Sequence, residues 1–270
     1  MKPTRMQFLK LVCLAGLTWV SPGCHIEVVG VDGWDDSDRV EVTGVTSRTL
    51  GVQGQTALRI EGLNGTIEIL GAAGAEEVSV YAVKRVRSHS RADAQEHLGL
   101  LQVSVGANPG EFVVRTIQPD HSNGRDYQVD YQITVPREFE VNADNANGSV
   151  QVEYIRADVR VQNLNGNVIL RDQHGSSWVT VANGQIDAQV RLPDGGELDH
   201  SVGNGWLKLT VQPQVSAGFV ARVGNGTITM SGLELTNAVS GLRVLRGVLG
   251  SGAGSIDLSV GNGWVRVEGG

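Results

Sequence analysis

Cysteine is almost missing from this chain of 270 residues: there are two, Cys13 and Cys24. Once the N-terminal leader described below is removed, only Cys24 stays. No internal disulfide can form, and metal sites built on cysteine are excluded. Stability must therefore come from burial and backbone pairing. Long apolar runs are also missing. After the leader, no stretch approaches the roughly 20 apolar residues that a membrane-spanning helix needs. Positive charge is scarce. The formal net charge is −7, and loss of Lys2, Arg5 and Lys10 with the leader takes it to −10. A chain so acidic argues against a nucleic-acid partner, because phosphate binding needs a basic face. It argues equally against adsorption to anionic lipid through a basic surface.

Residues 1–23 read MKPTRMQFLKLVCLAGLTWVSPG. A basic start, a short apolar stretch from Phe8 to Val20 and small residues after it form the pattern of a cleaved secretory leader. Ser21-Pro22-Gly23-Cys24 resembles a lipobox, in which a bacterial leader is cut before a cysteine that becomes acylated. Gly23 supplies the small residue before the cut, while Ser21 and Pro22 depart from the usual box. The alternative is an ordinary leader cut nearby, with Cys24 a free thiol. Lipidation at Cys24 is the expectation, and it makes the membrane a partner through acyl chains. His25 stands where some Gram-negative lipoproteins carry an Asp that retains them at the inner membrane. The outer membrane or cell surface is therefore preferred.

Glycine is abundant, at 36 residues, against seven prolines. Val, Ile and Thr are frequent and helical periods are short, which marks many strands joined by tight turns. Residues 24–45 read as an acidic tether. Its Asp32, Asp35, Asp36 and Asp38 lack the spacing and the closing Glu of a calcium loop. Residues 46–135 read as an N-terminal β-rich segment with one helix over about 90–101. Ser90 is placed to cap that helix, and Ala94, Leu98 and Leu101 lie on one face. Lys84, Arg85, Arg87 and Arg91 beside it read as a solvated basic face balancing Asp93 and Glu96.

Residues 136–270 carry a repeat. Asn-Gly recurs at Asn147, Asn165, Asn183, Asn204 and Asn225, at intervals of 18, 18, 21 and 21 residues, and again at Asn262, 37 further on. Gly252–Ile256 reads as a degenerate copy in that gap. A fixed period signals units that cannot bury an apolar face alone. Two architectures compete. In a meander, each Asn-Gly is a hairpin turn with antiparallel neighbours. In a β-solenoid, each 18–21-residue unit is one coil and corresponding strands stack in parallel. The regular period favours the all-β solenoid. If each strand keeps its pleat up to the turn, Asn183 shares a face with Val179 and Val181, and Asn262 with Leu258 and Val260. The six asparagines are then expected to form an inward-pointing ladder.

Leu63-Asn-Gly-Thr-Ile67, Val129–Pro136, the serial Asn-Gly coils and the closing Gly254–Val267 together resemble the DUF4097 family of adhesin-labelled β-strand-repeat proteins. The likeness covers residues 46–270. It implies a β-solenoid in the cell envelope, in some cases linked with envelope stress. It implies no catalytic residue and no cofactor.

The residues offer little chemistry. Polysaccharide-cleaving β-helices need carboxylates from successive coils in one groove. Asp144, Asp158, Asp172 and Asp187 sit at different offsets from their asparagines and form no column. The six histidines lack metal-ligand spacing, and neither a nucleophile elbow nor a phosphate loop is present. Aromatics give the better lead. Trp206 and Trp264 directly follow Asn-Gly pairs, where other units carry Thr66, Ser149, Asn167, Gln185 and Thr227. Trp178 is out of phase with the apolar Val179 and Val181. Three outward tryptophans can grip a glycan or an envelope protein, or can simply pack under a loop or cap the stack. The expectation is a non-catalytic scaffold or adhesin-like surface, with no metal and no cofactor. A polysaccharide-acting enzyme and a regulatory envelope-stress component stand as alternatives.

Overall fold

Alternating Val, Ile and Leu along most of the chain give residues whose side chains fall on two faces, and the chain folds accordingly. In a computed structural model, which describes residues 39–270, sixteen strands and one helix make up the body. The leader and Cys24 lie outside the described residues. The N-terminal part runs β1 (Val40–Gly51), β2 (Ala57–Glu61), β3 (Ile67–Ala72), β4 (Glu77–Ser88), α1 (Arg91–Leu100), β5 (Gln102–Ala107), β6 (Glu111–Ile117) and β7 (Asp126–Pro136). The repeat region runs β8 (Glu140–Asn147), β9 (Val150–Glu153), β10 (Val159–His174), β11 (Ser177–Arg191), β12 (Glu197–Val211), β13 (Ala217–Ser231), β14 (Thr236–Ser240), β15 (Val244–Leu249) and β16 (Gly254–Gly269). Strand begins at Val40, so the last six residues of the expected 24–45 tether belong to β1.

Successive repeat units pair in parallel and in register. Val161 lies beside Val179, Asn165 beside Asn183 and Val168 beside Ile186. The same holds from β11 to β12, and from β10 back to β8 and β9. The Asn-Gly pairs therefore do not join antiparallel hairpins. The N-terminal Asn64-Gly65 follows the same rule: β2 pairs in parallel with β6 and β8, and β3 with β7 and β9. The order along the sheet is β1-β4-β7-β3-β9-β10-β11-β12-β16-β13-β15-β14, with β2, β5, β6 and β8 continuing the other leg.

Two features depart from the sequence reading. The C-terminal strand β16 inserts between β12 and β13. The 37-residue gap before Asn262 holds no degenerate coil; it holds an antiparallel hairpin, β14–β15, laid against the first leg of β13.

Each repeat unit has two legs with opposite phase. Before the asparagine, β11 buries Ser177, Val179 and Val181; after it, Ile186, Ala188 and Val190. The inner residues of the repeat units and of the N-terminal strands merge into one core. Helix α1 covers the N-terminal end. Its buried Ala94 and Leu98 face β1 and β4, and Leu98 packs where Gly44 leaves room. Ser90 caps the helix by accepting from the Asp93 amide at 3.2 Å.

The expected solvated basic face is not formed as read. Lys84 is buried and donates to the Leu101 carbonyl at 2.9 Å. Arg85 pairs with Asp130, and Arg87 pairs with Glu41 at 2.6 Å. Asp93 is held by Arg125 through two bonds of 2.6 and 2.7 Å, and by the Ser88 hydroxyl. Those donors keep its carboxyl well below the usual carboxylate range, the Arg125 hydrogen bonds contributing most. The strand β4 alternates, so Lys84 points inward while Arg85 and Arg87 point out. A count of nearby charges in the sequence does not separate the two directions.

Candidate functional site

The Asn-Gly corners build the most regular feature of the molecule. Every corner glycine from Gly148 to Gly263 has a φ between +127° and +146°. A Cβ added at any of these glycines would fall on the carbonyl oxygen of the glycine stacked beside it. Glycine is thus required twice over, by dihedral and by close approach.

Beside the glycines runs an amide ladder. The side-chain amide of Asn147 donates to Asn64 at 2.8 Å, Asn165 to Asn147 at 2.9 Å, Asn183 to Asn165 at 3.0 Å and Asn204 to Asn183 at 2.9 Å. The ladder then follows space, not sequence: Asn262 donates to Asn204, and Asn225 to Asn262, both at 2.8 Å. At its start, Asn64 donates to the Tyr127 carbonyl at 3.2 Å. All six predicted asparagines are in it, with Asn64 as a seventh.

The ladder does not point inward. All six predicted asparagines are exposed. The reason is local. Pairing skips Leu164 and Ala182, so the chain leaves the pleat one residue before the asparagine. The asparagine then sits on the outside of the corner. The inward amides are Asn145 and Asn163, two residues earlier, where other coils carry Val181, Val202 and Val260. They donate to the carbonyls of Gly65 at 3.3 Å and Gly148 at 2.9 Å.

The tryptophans separate into two places. Trp206 and Trp264 are register partners on β12 and β16. Their rings stack with centroids 4.8 Å apart and planes 4° from parallel. Both are half-buried on the outer face of the second leg. Gln185 and Thr227 bracket them in the same row. Arg266 lies 5.2 Å from the Trp264 ring, and Lys208 bridges Glu268 at 2.8 Å next to the pair. Trp178 is not part of this patch. It lies on the first leg, under the Arg160 guanidinium at 4.2 Å, in the row of Asn142, Arg160 and Asp199.

That row holds residues absent from the sequence reading. Asp199 and Asp257 are register partners on β12 and β16. Partial burial, then Asp257 and Glu197, push the Asp199 carboxyl upward. Asp257 is gripped by Arg222 at 2.7 and 2.8 Å. Each acid stands five residues before its Asn-Gly, so a phase alignment over every acid finds the pair. Asp144, Asp158, Asp172 and Asp187 remain on different rows.

One histidine is enclosed. His200 is fully buried between Val179 and Leu258, and its Nε2 meets the Ser177 hydroxyl at 2.8 Å. Burial pulls its pKa down to about 4, so the ring is neutral at pH 7. Among the described residues no group of three or more His, Cys, Asp or Glu is placed to hold a metal ion, and no helix is long and apolar enough to cross a membrane.

No family model matches the chain, and no curated protein matches it. Solved structures give distant likenesses. One is a "putative cell adhesion protein" from Clostridium sporogenes ATCC 15579, 10% identical, over 84% of this chain and 100% of that one, with a TM-score of 0.43. Another is a "putative adhesin" from Bacteroides fragilis NCTC 9343, 10% identical, over 83% and 96%, with a TM-score of 0.32. A third is a "putative adhesin" from Parabacteroides merdae ATCC 43184, 10% identical, over 83% and 95%, with a TM-score of 0.26.

Proposed function

We propose that this chain is a non-catalytic, adhesin-like β-solenoid of the cell envelope, held to a membrane by acyl chains on Cys24. Its binding surface is the outer face around Trp206 and Trp264. The DUF4097 resemblance belongs to this reading, and so does an outer-membrane or surface location. The observation that carries it is the stacked Trp206–Trp264 pair on the outer face of the sheet. Here the pair stands on a rigid, fully paired backbone, flanked by Gln185, Lys208, Arg266 and Thr227. An apolar ridge rimmed by hydrogen-bonding groups suits the apolar face and hydroxyl rim of an envelope glycan. Rigid aromatics also lose little conformational entropy on binding.

The bland role of the pair is a contact between coils, worth about 0.5–1.5 kcal/mol. One fractionation experiment separates the two and tests the anchor. Wild type, Cys24→Ser and Trp206→Ala/Trp264→Ala are compared for detergent-phase partition and for binding to cell-wall fractions and envelope extracts. The Cys24 variant is expected to leave the detergent phase and to keep cell-wall binding. The tryptophan variant is expected to stay in the detergent phase, with a folded circular-dichroism spectrum, and to lose binding at least tenfold. Unchanged partition of Cys24→Ser removes the anchor; unchanged binding of the tryptophan variant removes the surface.

A further inference from the structure

The coil stack ends abruptly at β13. Its first leg is covered on the outer side by β15, which pairs from Ala217 to Arg222, and the Val223 amide still bonds the Arg243 carbonyl. Its second leg, Asn225–Ser231, pairs among the described residues with β16 alone. In a parallel ladder, alternate peptide groups face the opposite edge. Along this leg those groups meet no other strand among the described residues.

The side chains say the same. Leu207 and Leu209 on β12, and Val265 and Val267 on β16, are fully buried. Their row partners on β13 are Ile228 and Met230, and both are only half-buried. Leu233, Leu235 and Leu245 share this partial cover. Beside them the β14–β15 hairpin exposes Val239 at 46% and Leu242 at 96%. One more coil on this end would bury what the last coil leaves open.

Sheet edges in soluble proteins are usually blunted by charge, proline, bulges or a covering element. Two of the other edge strands of this sheet are. β1 has α1 packed on it and carries Glu41 and Arg48 along its length. β14 is five residues long, with a register shift and a positive φ at Asn237. Thr227-Ile-Thr-Met-Ser231 has no charge, no proline and no bulge.

We infer that this edge is an interface on which a second copy of the chain adds its own Thr227–Ser231 strand, antiparallel and about a two-fold axis near Thr229. The segment is self-complementary in that arrangement. Thr227 faces Ser231, Ile228 faces Met230, and no like charges meet. A two-fold contact closes on itself and stops at a dimer. The edge also lies at the far end of the stack from β1, nine strand spacings or about 43 Å away. It is thus clear of the N-terminal end and free to meet another molecule. A five-residue strand pair with its apolar rim is smaller than a standard stable interface, so the dimer is weak in free solution and strengthens where chains are concentrated, as on a shared surface.

The test uses the processed chain with Cys24→Ser, studied by sedimentation velocity over a wide concentration range. A monomer–dimer equilibrium is expected. Thr229→Lys, at an exposed position, is expected to weaken it at least tenfold while leaving the thermal unfolding curve in place. Thr229→Cys is expected to give an intermolecular disulfide on mild oxidation, and Thr180→Cys, exposed in mid-stack, to give none. A chain that stays monomeric throughout overturns the inference. So does a dimer indifferent to Thr229→Lys. Protection of the 227–231 amides by envelope extract, without self-association, would assign the edge to a different protein and equally end this proposal.

Discussion

His200 shows what a single residue costs this core. The positions beside it in the row are Val179 and Leu258, and the histidine keeps its place by bonding Ser177. Its Nδ1 has no partner among the described residues, and an unsatisfied buried polar atom costs about 1–3 kcal/mol. The pH consequence follows from linkage. The folded-state pKa is depressed to about 4, while an unfolded histidine titrates near 6.5. Between those values the unfolded chain binds more protons, so stability falls as pH drops through that window and is complete above it. The loss reaches about 3 kcal/mol at the acid end. Ser177→Ala/His200→Leu is expected to remove this component. Urea midpoints at pH 7.5 and pH 5 measure it, and equal pH dependence in the variant and wild type would refute the assignment. Asp93 contributes stability of its own, lost only as pH falls below the ordinary carboxylate range toward its depressed pKa, so it leaves the difference between pH 7.5 and pH 5 to the histidine.

At the scale of the element, the corner divides its work between two residues. Asn183 accepts from Asn204 and donates to Asn165 on the outside of the turn. Asn183→Ala removes both bonds from an exposed site, where water replaces part of them, and is expected to cost about 1–2 kcal/mol. Gly184→Ala meets both a φ of +146° and the Gly166 carbonyl; it is expected to cost more than about 3 kcal/mol. Chemical denaturation ranks the two, and a reversed order would count against the close stacking of the corners. This element also marks how far the sequence could be read. The period, the parallel pairing from β8 to β12 and six of the seven members of the ladder were legible, because each depends only on spacing. The direction of the asparagines was not, because it depends on where the pleat breaks, and Leu164 and Ala182 give no sign of leaving the ladder. Helix α1 was legible from Ser90 and its apolar face. The Trp206–Trp264 stack was only half legible. Both residues stood out, but their contact required knowing that β16 lies beside β12.

Strand order is the property of the whole molecule that spacing conceals. Asn225 follows Asn204 by the same 21 residues that separate Asn204 from Asn183, so β13 has the phase to stack directly on β12. The C-terminal strand takes that place instead. It brings Trp264 onto Trp206 and Glu268 onto Lys208, and its Asp257 pairs with Arg222 on β13. Gly203, Gly261 and Gly224 let the three backbones approach at the corner, since a side chain at each would meet the neighbouring carbonyl. By phase either arrangement satisfies the ladder, and the side-chain contacts of β16 belong to the one observed. Removing residues 254–270 leaves β12 with an open edge and β13 paired with β15 alone. The expected outcome is not a loss of the end of the stack. It is a shift of β13, with its hairpin, by one strand spacing onto β12. Thr210 and Ser231 report the shift, since both pair with Glu268 from opposite sides in the full chain. There they are two spacings apart, about 9.6 Å, too far for a disulfide. With Cys24→Ser, Thr210→Cys and Ser231→Cys combined, the full chain is expected to keep free thiols under mild oxidation. The truncated chain is expected to form an intramolecular disulfide, because the two positions become direct neighbours. Free thiols in the truncated chain, folded or not, would mean that β13 depends on β16 and cannot use the alternative register.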